Sequence, residues 1–113
     1  MHEYAVTKNI IEIAVKEAEA ANARKILEIR LIIGDLSSII DESVQMYFEI
    51  ISQGTIAEGA RLSFKRKPAI LYCGRCAENF EKPGKGFECP VCGGTGTLTG
   101  AGREFYIESL EVE

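Results

Sequence analysis

Apolar residues from Tyr4 to about Ala21 recur at helical spacing. Ile11, Ala14, Val15 and Ala18 follow the i, i+3, i+4, i+7 rule, and Val6, Ile10 and Ile13 widen the stripe. This segment predicts a helix lying on a core. "ANARK" interrupts it. In "KILEIRLIIG", Leu27, Ile29, Leu31 and Ile33 alternate with Glu28, Arg30 and Ile32, the period of a strand that ends at Gly34. A second helix follows within "DLSSIIDESVQMYFEIISQG". Asp41 stands where an N-cap belongs, and Glu42 adds negative charge to the first turn. Val44, Phe48 and Ile51 share one face, and Gly54 sits at the place of a C-terminal cap. A second strand has Ala60, Leu62 and Phe64 on one side and Arg61, Ser63 and Lys65 on the other, closed by Pro68.

The pattern then changes. Residues 69–102 hold all four cysteines and eight of the 11 glycines, with no helical period. "REFYIESLEVE" returns to strand alternation: Phe105 and Ile107 share one phase, Leu110 and Val112 the other. The switch near Glu108 and Ser109 predicts a β-bulge. The order α-β-α-β, module, β predicts an α+β fold. Residues 1–68 and 104–113 form a domain with two helices and a small mixed three-stranded sheet, and residues 69–103 form an inserted module. The unit from Lys25 to Lys67 is long enough for a parallel crossover.

Composition narrows the function classes. The chain has 113 residues, 46% of them apolar, so one small domain with an appended module is the expected scale. A net charge of -4 argues against a nucleic-acid binder. No apolar run approaches the roughly 20 residues of a membrane span. Glu3, Lys8 and Glu12 break any signal-peptide core, so a cytoplasmic location is expected. In that compartment thiols stay reduced, which turns attention to metal.

The cysteines read Cys73-Gly-Arg-Cys76 and Cys89-Pro-Val-Cys92, with twelve residues between the pairs. A two-residue spacer lets both thiolates of a knuckle meet one ion. Two knuckles make a closed tetrahedral four-sulfur site, which suits structural zinc. "AENFEKPGKGFE" can turn between them at Pro83-Gly84. The module is too small and too rich in glycine to fold by burial alone, so the metal would supply much of its folding free energy. Backbone N–H groups near Gly74 and Gly93 can donate to sulfur, with Arg75, Lys82 and Lys85 offsetting charge from farther out. A rubredoxin-like iron site uses the same ligands, and "CPVCGG" resembles one of its knuckles. Dithiol redox chemistry, or a pair of disulfides, would also use these four thiols.

The single histidine is His2. The Met1 amine, the His2 amide and the His2 ring Nδ1 can close fused chelate rings around one ion, a nitrogen set that favours Ni(II) or Cu(II). Glu3 can add its amide or carboxylate. A solvated ring at a helix start would be the plainer role for His2.

Taken together, the chain resembles the HypA/HybF family of hydrogenase-maturation nickel metallochaperones. The resemblance rests on "MHE" and the helix after it, "IGDLSSI", "CGRC…CPVCGG" and "REFYIESLEVE", and it covers nearly the full chain. It implies transferable Ni2+ on Met1, His2 and Glu3, and structural Zn2+ on Cys73, Cys76, Cys89 and Cys92. It also implies delivery to the large subunit of [NiFe]-hydrogenase together with the GTPase HypB, with urease served by some members. Where many relatives carry an acid shortly after the "LS" pair this chain has Ile40, and Asp41 is the neighbouring candidate for the remaining nickel ligand. It lacks the second histidine that some relatives place near the zinc module. Ala77, not glycine, follows the second cysteine of the first knuckle.

Two other functions fit parts of the sequence. A zinc-ribbon binding module would use Arg61, Lys65, Arg66 and Lys67, although these fall mostly on the polar side of a strand. An iron-based electron carrier would use the cysteines. No histidine lies near a nucleophile and the carboxylates are scattered, so no enzyme is expected. A monomer or a homodimer is compatible with one exposed sheet edge.

Overall fold

The computed structural model describes residues 2–113, the side chain of His2 excepted. The chain runs α1 (His2–Ala20), β1 (Ile26–Gly34), α2 (Asp41–Ile51), β2 (Arg61–Lys67), β3 (Ile70–Cys73), β4 (Glu78–Glu81), β5 (Thr97–Leu98) and β6 (Phe105–Val112). It separates into two compact units. One comprises Met1–Ile32, Ser38–Lys65 and Tyr106–Glu113; the other comprises Ile33–Ser37 and Arg66–Phe105.

The first unit is built on a sheet in the order β2-β1-β6. Its hydrogen bonds reveal the strand directions. Arg24 donates to the Glu113 carbonyl and Glu113 to that of Lys25, while at the other end Gly34 donates to Glu104, so β1 and β6 are antiparallel. Asp35, just past β1, donates to Lys67 at the end of β2, so these two run parallel, with α2 in the crossover. The sheet is therefore mixed. The central strand buries Ile29, Leu31 and Ile33 on its core face, and Ile26 and Ile32 are buried as well.

Helix α1 buries Thr7, Ile10, Ile11, Ala14 and Ala18, an i, i+3, i+4, i+7 stripe. It packs on α2, where Val44 and Phe48 are buried and Tyr47 meets Tyr4 edge-on at 5.5 Å. The expected widening toward Ile13 does not occur. Ile13 is 42% exposed, whereas Thr7 lies in the middle of the buried stripe. Asp41 is not the N-cap: Ile40 holds that position, with extended backbone, and Asp41 begins the helix. There Asp41 and Glu42 lie against the positive end of the helix dipole. At the other end Ser52 is the cap, and Gly54 comes two residues later with φ +80, donating to the Glu58 carboxylate. Strand β6 runs unbroken through the place where a bulge is expected.

On the face that carries Arg61 and Ser63, Glu28 is buried among partners. Its carboxylate lies 3.2 Å from the Arg30 guanidinium and 3.7 Å from Arg61, and it accepts the Ser63 hydroxyl proton. That hydrogen bond, then the two arginines, hold its pKa below the ordinary value. Arg30 reaches on to Ser109 at 3.2 Å and Glu111 at 3.0 Å, tying β1 to β6. The polar phase of these strands is thus an ion-pair lattice.

The second unit contains the sheet β4-β3-β5. Strands β3 and β4 form an antiparallel hairpin, Ile70 opposite Glu81 and Cys73 opposite Glu78. β5 adds on the other edge, Leu71 opposite Leu98. In this unit "IGDL" meets the end of the cysteine-rich segment. Leu36 donates to the Gly102 carbonyl at 2.7 Å, and a Cβ on Gly34 would lie 2.1 Å from that oxygen, so only glycine fits.

Candidate metal centre

The centre is made by two knuckles of one design. Strand β3 delivers Cys73 at its last residue, and the turn after it carries Cys76. Ala77 donates to the Cys73 carbonyl at 2.7 Å, closing that turn. In the second knuckle, Gly93 donates to the Cys89 carbonyl at 2.9 Å, closing the turn that holds Cys92. Each closing residue has a left-handed backbone, φ 55 at Ala77 and φ 76 at Gly93. Glycine takes this conformation freely, whereas alanine is strained by about 1–2 kcal/mol.

The segment between the knuckles positions them. Gly86 donates to the Pro83 carbonyl at 2.8 Å, completing the turn at Pro83-Gly84. The Lys82 amine donates to the Gly84 carbonyl and sits 5.1 Å above the Phe87 ring, a cation–π contact that helps hold the turn. A bridge between Glu88 and Thr95 holds the base of the second knuckle. Gly96 lies against Phe80 and Leu71, and a Cβ there would come within 2.5 Å of the Phe80 ring.

These elements bring the four sulfurs within 4.8 Å of one another. Cys73 and Cys92 are 3.5 Å apart at sulfur, and Cys76 and Cys89 are 3.9 Å apart. Four thiolates at about 2.3 Å from one ion stand about 3.8 Å apart at the corners of a tetrahedron. The donor set and its spacing fit a tetrahedral thiolate-bound ion of the zinc kind. All four cysteines are free, with separations far beyond the roughly 2 Å of a disulfide.

Backbone donors to sulfur lie beside the glycines where they are expected, at Arg75 after Gly74 and at Gly94 after Gly93. Cys76 N–H points to Cys73 Sγ at 3.4 Å and Gly94 N–H to Cys92 Sγ at 3.4 Å, while the Gly93 amide closes the turn. The Cys76 amide is the main reason that Cys73 is lowered to about 7. Cys76 is pushed up to about 12, first by its hydrogen bonds to Cys92 and Cys73. Four crowded thiols cannot all ionise without a cation among them.

The residues expected to hold nickel are placed only in part. Met1 and the His2 side chain lie outside the described residues. The His2 backbone opens α1, and Glu3 follows in the first turn. The Glu3 carboxylate accepts the Ile40 amide at 3.3 Å. Its own backbone amide and then that of Ile40 help to hold its pKa below the ordinary value. Ile40 directly precedes Asp41, so the start of α1 is tied to the start of α2. Sequence reasoning did not find this tie, because nothing in the pattern pairs Glu3 with a residue 37 positions on.

An α/β unit and a ribbon of paired CxxC knuckles define a metal-handling protein with a structural four-cysteine site. A family model described as hydrogenase/urease nickel incorporation, metallochaperone, HypA, matches residues 1–112, and the chain belongs to that family. The hydrogenase maturation factor HypA of Caldanaerobacter subterraneus subsp. tengcongensis is 46% identical over the full length of both chains. That of Geobacter sulfurreducens is 43% identical, also over the full length of both. Two solved structures share the fold. A solution structure of HypA protein aligns with TM-score 0.73 at 25% identity, covering 100% of this chain and 97% of that one. The solution structure of the Ni metallochaperone HypA from Helicobacter pylori aligns with TM-score 0.67 at 23% identity, covering 97% and 96%. Among the described residues, no helix is long and apolar enough to cross a membrane.

Proposed function

We propose that this protein is a nickel carrier for [NiFe]-hydrogenase assembly. Met1, His2 and Glu3 hold the transferable Ni2+, and Cys73, Cys76, Cys89 and Cys92 hold structural Zn2+. The observation that carries the reading is a four-sulfur cluster inside a chain that a nickel-incorporation family matches along residues 1–112. A shell of four thiolates is closed and has no position for an ion in transit. Cargo therefore needs a second site, and the nitrogen-rich chain start has the donor chemistry for Ni(II). The Glu3 contact to Ile40 supports Asp41 as a further ligand.

In this reading residues 1–68 and 104–113 are the nickel-binding domain and residues 69–103 the zinc ribbon. Zinc, when bound, supplies the cross-link that orders the ribbon. The protein carries an ion and catalyses no reaction. Its partners are the GTPase HypB and the large subunit of [NiFe]-hydrogenase, met in the cytoplasm by a monomer or a homodimer. Nickel binding requires loss of protons from the amine and amide, so affinity falls as pH falls.

Metal analysis of untagged protein incubated with nickel tests this. Nickel and zinc in equal amounts are expected, with nickel lost and zinc retained in His2→Ala. Unchanged nickel affinity in His2→Ala would remove the proposed site.

A further inference from the structure

Outside the metal centre, the first unit has a groove of about 610 Å³ between α2 and β2. The exposed side chains Met46 and Ile50, one helical turn apart, form its wall. They are 51% and 60% exposed, large apolar residues on a helix otherwise well provided with acids. Leu62 and Phe64, alternate residues of β2, form the floor. Glu42 and Glu49 line the same groove, and among the described residues no basic side chain does. The Gln45 amide donates to Glu49 at 3.0 Å and steadies that carboxylate on the helix flank.

We infer that this groove docks an amphipathic helix of a partner protein whose apolar stripe is flanked by lysine or arginine. The apolar wall and floor match such a stripe, and the carboxylates match its basic margins. Met46 and Ile50 make an i, i+4 ridge of the sort that packs against a second helix. α2 is 11 residues long, about 16 Å, which is room for about three turns of a partner. A second copy of this chain does not fit the charge. α1 carries Glu3, Glu12, Glu17 and Glu19 against Lys8 and Lys16, and α2 has no basic residue at all. Nucleic acid and anionic lipid are repelled by the same carboxylates. Asp41, the candidate further nickel ligand, lines the same groove, but docking rests on the apolar wall and floor and on Glu42 and Glu49, and needs no bound nickel.

The test uses the full-length protein and a fluorescein-labelled helical peptide of leucine and lysine, about 18 residues long so that it holds a helix. Fluorescence anisotropy should report saturable binding that weakens with salt. The same peptide with glutamate replacing lysine should not bind. Met46→Ala with Ile50→Ala, or Glu42→Gln with Glu49→Gln, should each raise Kd about tenfold or more. Glu12→Gln with Glu19→Gln, the same change of charge on exposed positions of α1, should leave Kd within about twofold. Absence of binding, or equal weakening by the α1 pair, overturns the inference. Preferential binding of an extended alternating valine–lysine peptide would assign the groove to a strand and overturn it as well. So would self-association of the protein that Met46→Ala with Ile50→Ala abolishes.

Discussion

The unit of Met1–Ile32, Ser38–Lys65 and Tyr106–Glu113 encloses Phe48, Val44, Ile29 and Leu31 beneath two helices. The unit of Ile33–Ser37 and Arg66–Phe105 has far less to enclose. Ile33, Ala69, Leu71, Cys73 and Cys89 are its buried apolar residues, and two of those five are thiols. Burial at about 25 cal/mol per Å² can sustain the first, but the second is too thin for that alone. Its cysteines take the place of a core. The comparison teaches that one chain can divide its stability between apolar packing and a metal cross-link.

Removing the metal should break this comparison most strongly. Structural zinc in small modules contributes on the order of 10 kcal/mol. Chelation should abolish amide-exchange protection across residues 66–105 while α1 and α2 keep theirs, as read by hydrogen-exchange mass spectrometry. Protection persisting in both units would show that the ribbon folds by burial after all.

Phe48→Ala makes the converse change. It opens a cavity in a fully buried site and should cost about 3–5 kcal/mol. Denaturant unfolding followed by helical signal should shift by that amount. Cobalt substituted for zinc should keep its thiolate charge-transfer spectrum unchanged in this variant. A disturbed cobalt spectrum would mean that the two units are coupled.

The two knuckles provide a finer comparison. Gly93→Ala introduces left-handed strain that should weaken the ribbon by about 1 kcal/mol. Ala77→Gly relieves the same strain, and the extra freedom of the unfolded chain offsets part of the gain, so about 0.5 kcal/mol of stabilisation is expected. Competition against a zinc chelator reads both changes, and equal effects of the two variants would contradict the shared geometry.

Acid tests the ion-pair lattice. Glu28 has its pKa lowered in the folded state. Its contribution is therefore complete above the ordinary carboxylate range and disappears as pH falls through the depressed value. In Glu28→Gln, thermal stability measured from pH 6 down to about pH 3 should fall less steeply than in the parent chain. This is the smallest of the expected changes, and identical slopes would show that Glu28 titrates alike folded and unfolded.

Much of this design is legible in the residues. Period-2 and period-3.6 patterns identify both helices and the three long strands, because each presents one apolar face to a core. Two CxxC pairs imply a four-sulfur cluster, because the two-residue spacer is itself a geometric constraint. Less was legible where a contact is remote in sequence. Thr7 is buried because it stands in line with Ile11, Ala14 and Ala18, whereas apolar Ile13 faces away from that line and stays exposed. Asp41 resembles an N-cap, yet the backbone enters the helix one residue earlier, at Ile40. Glu28 is polar and buried because Ser63 and two arginines satisfy it, a pairing that no local pattern reveals.

The central claim is that the two metal sites are separate in place and in role. Parallel nickel and zinc titrations of untagged wild type, His2→Ala and Cys92→Ser test it directly. The account predicts that His2→Ala loses nickel and keeps zinc, while Cys92→Ser loses zinc and still binds nickel. Loss of nickel binding in Cys92→Ser with retention in His2→Ala would contradict it, placing the transferable ion on the cysteines.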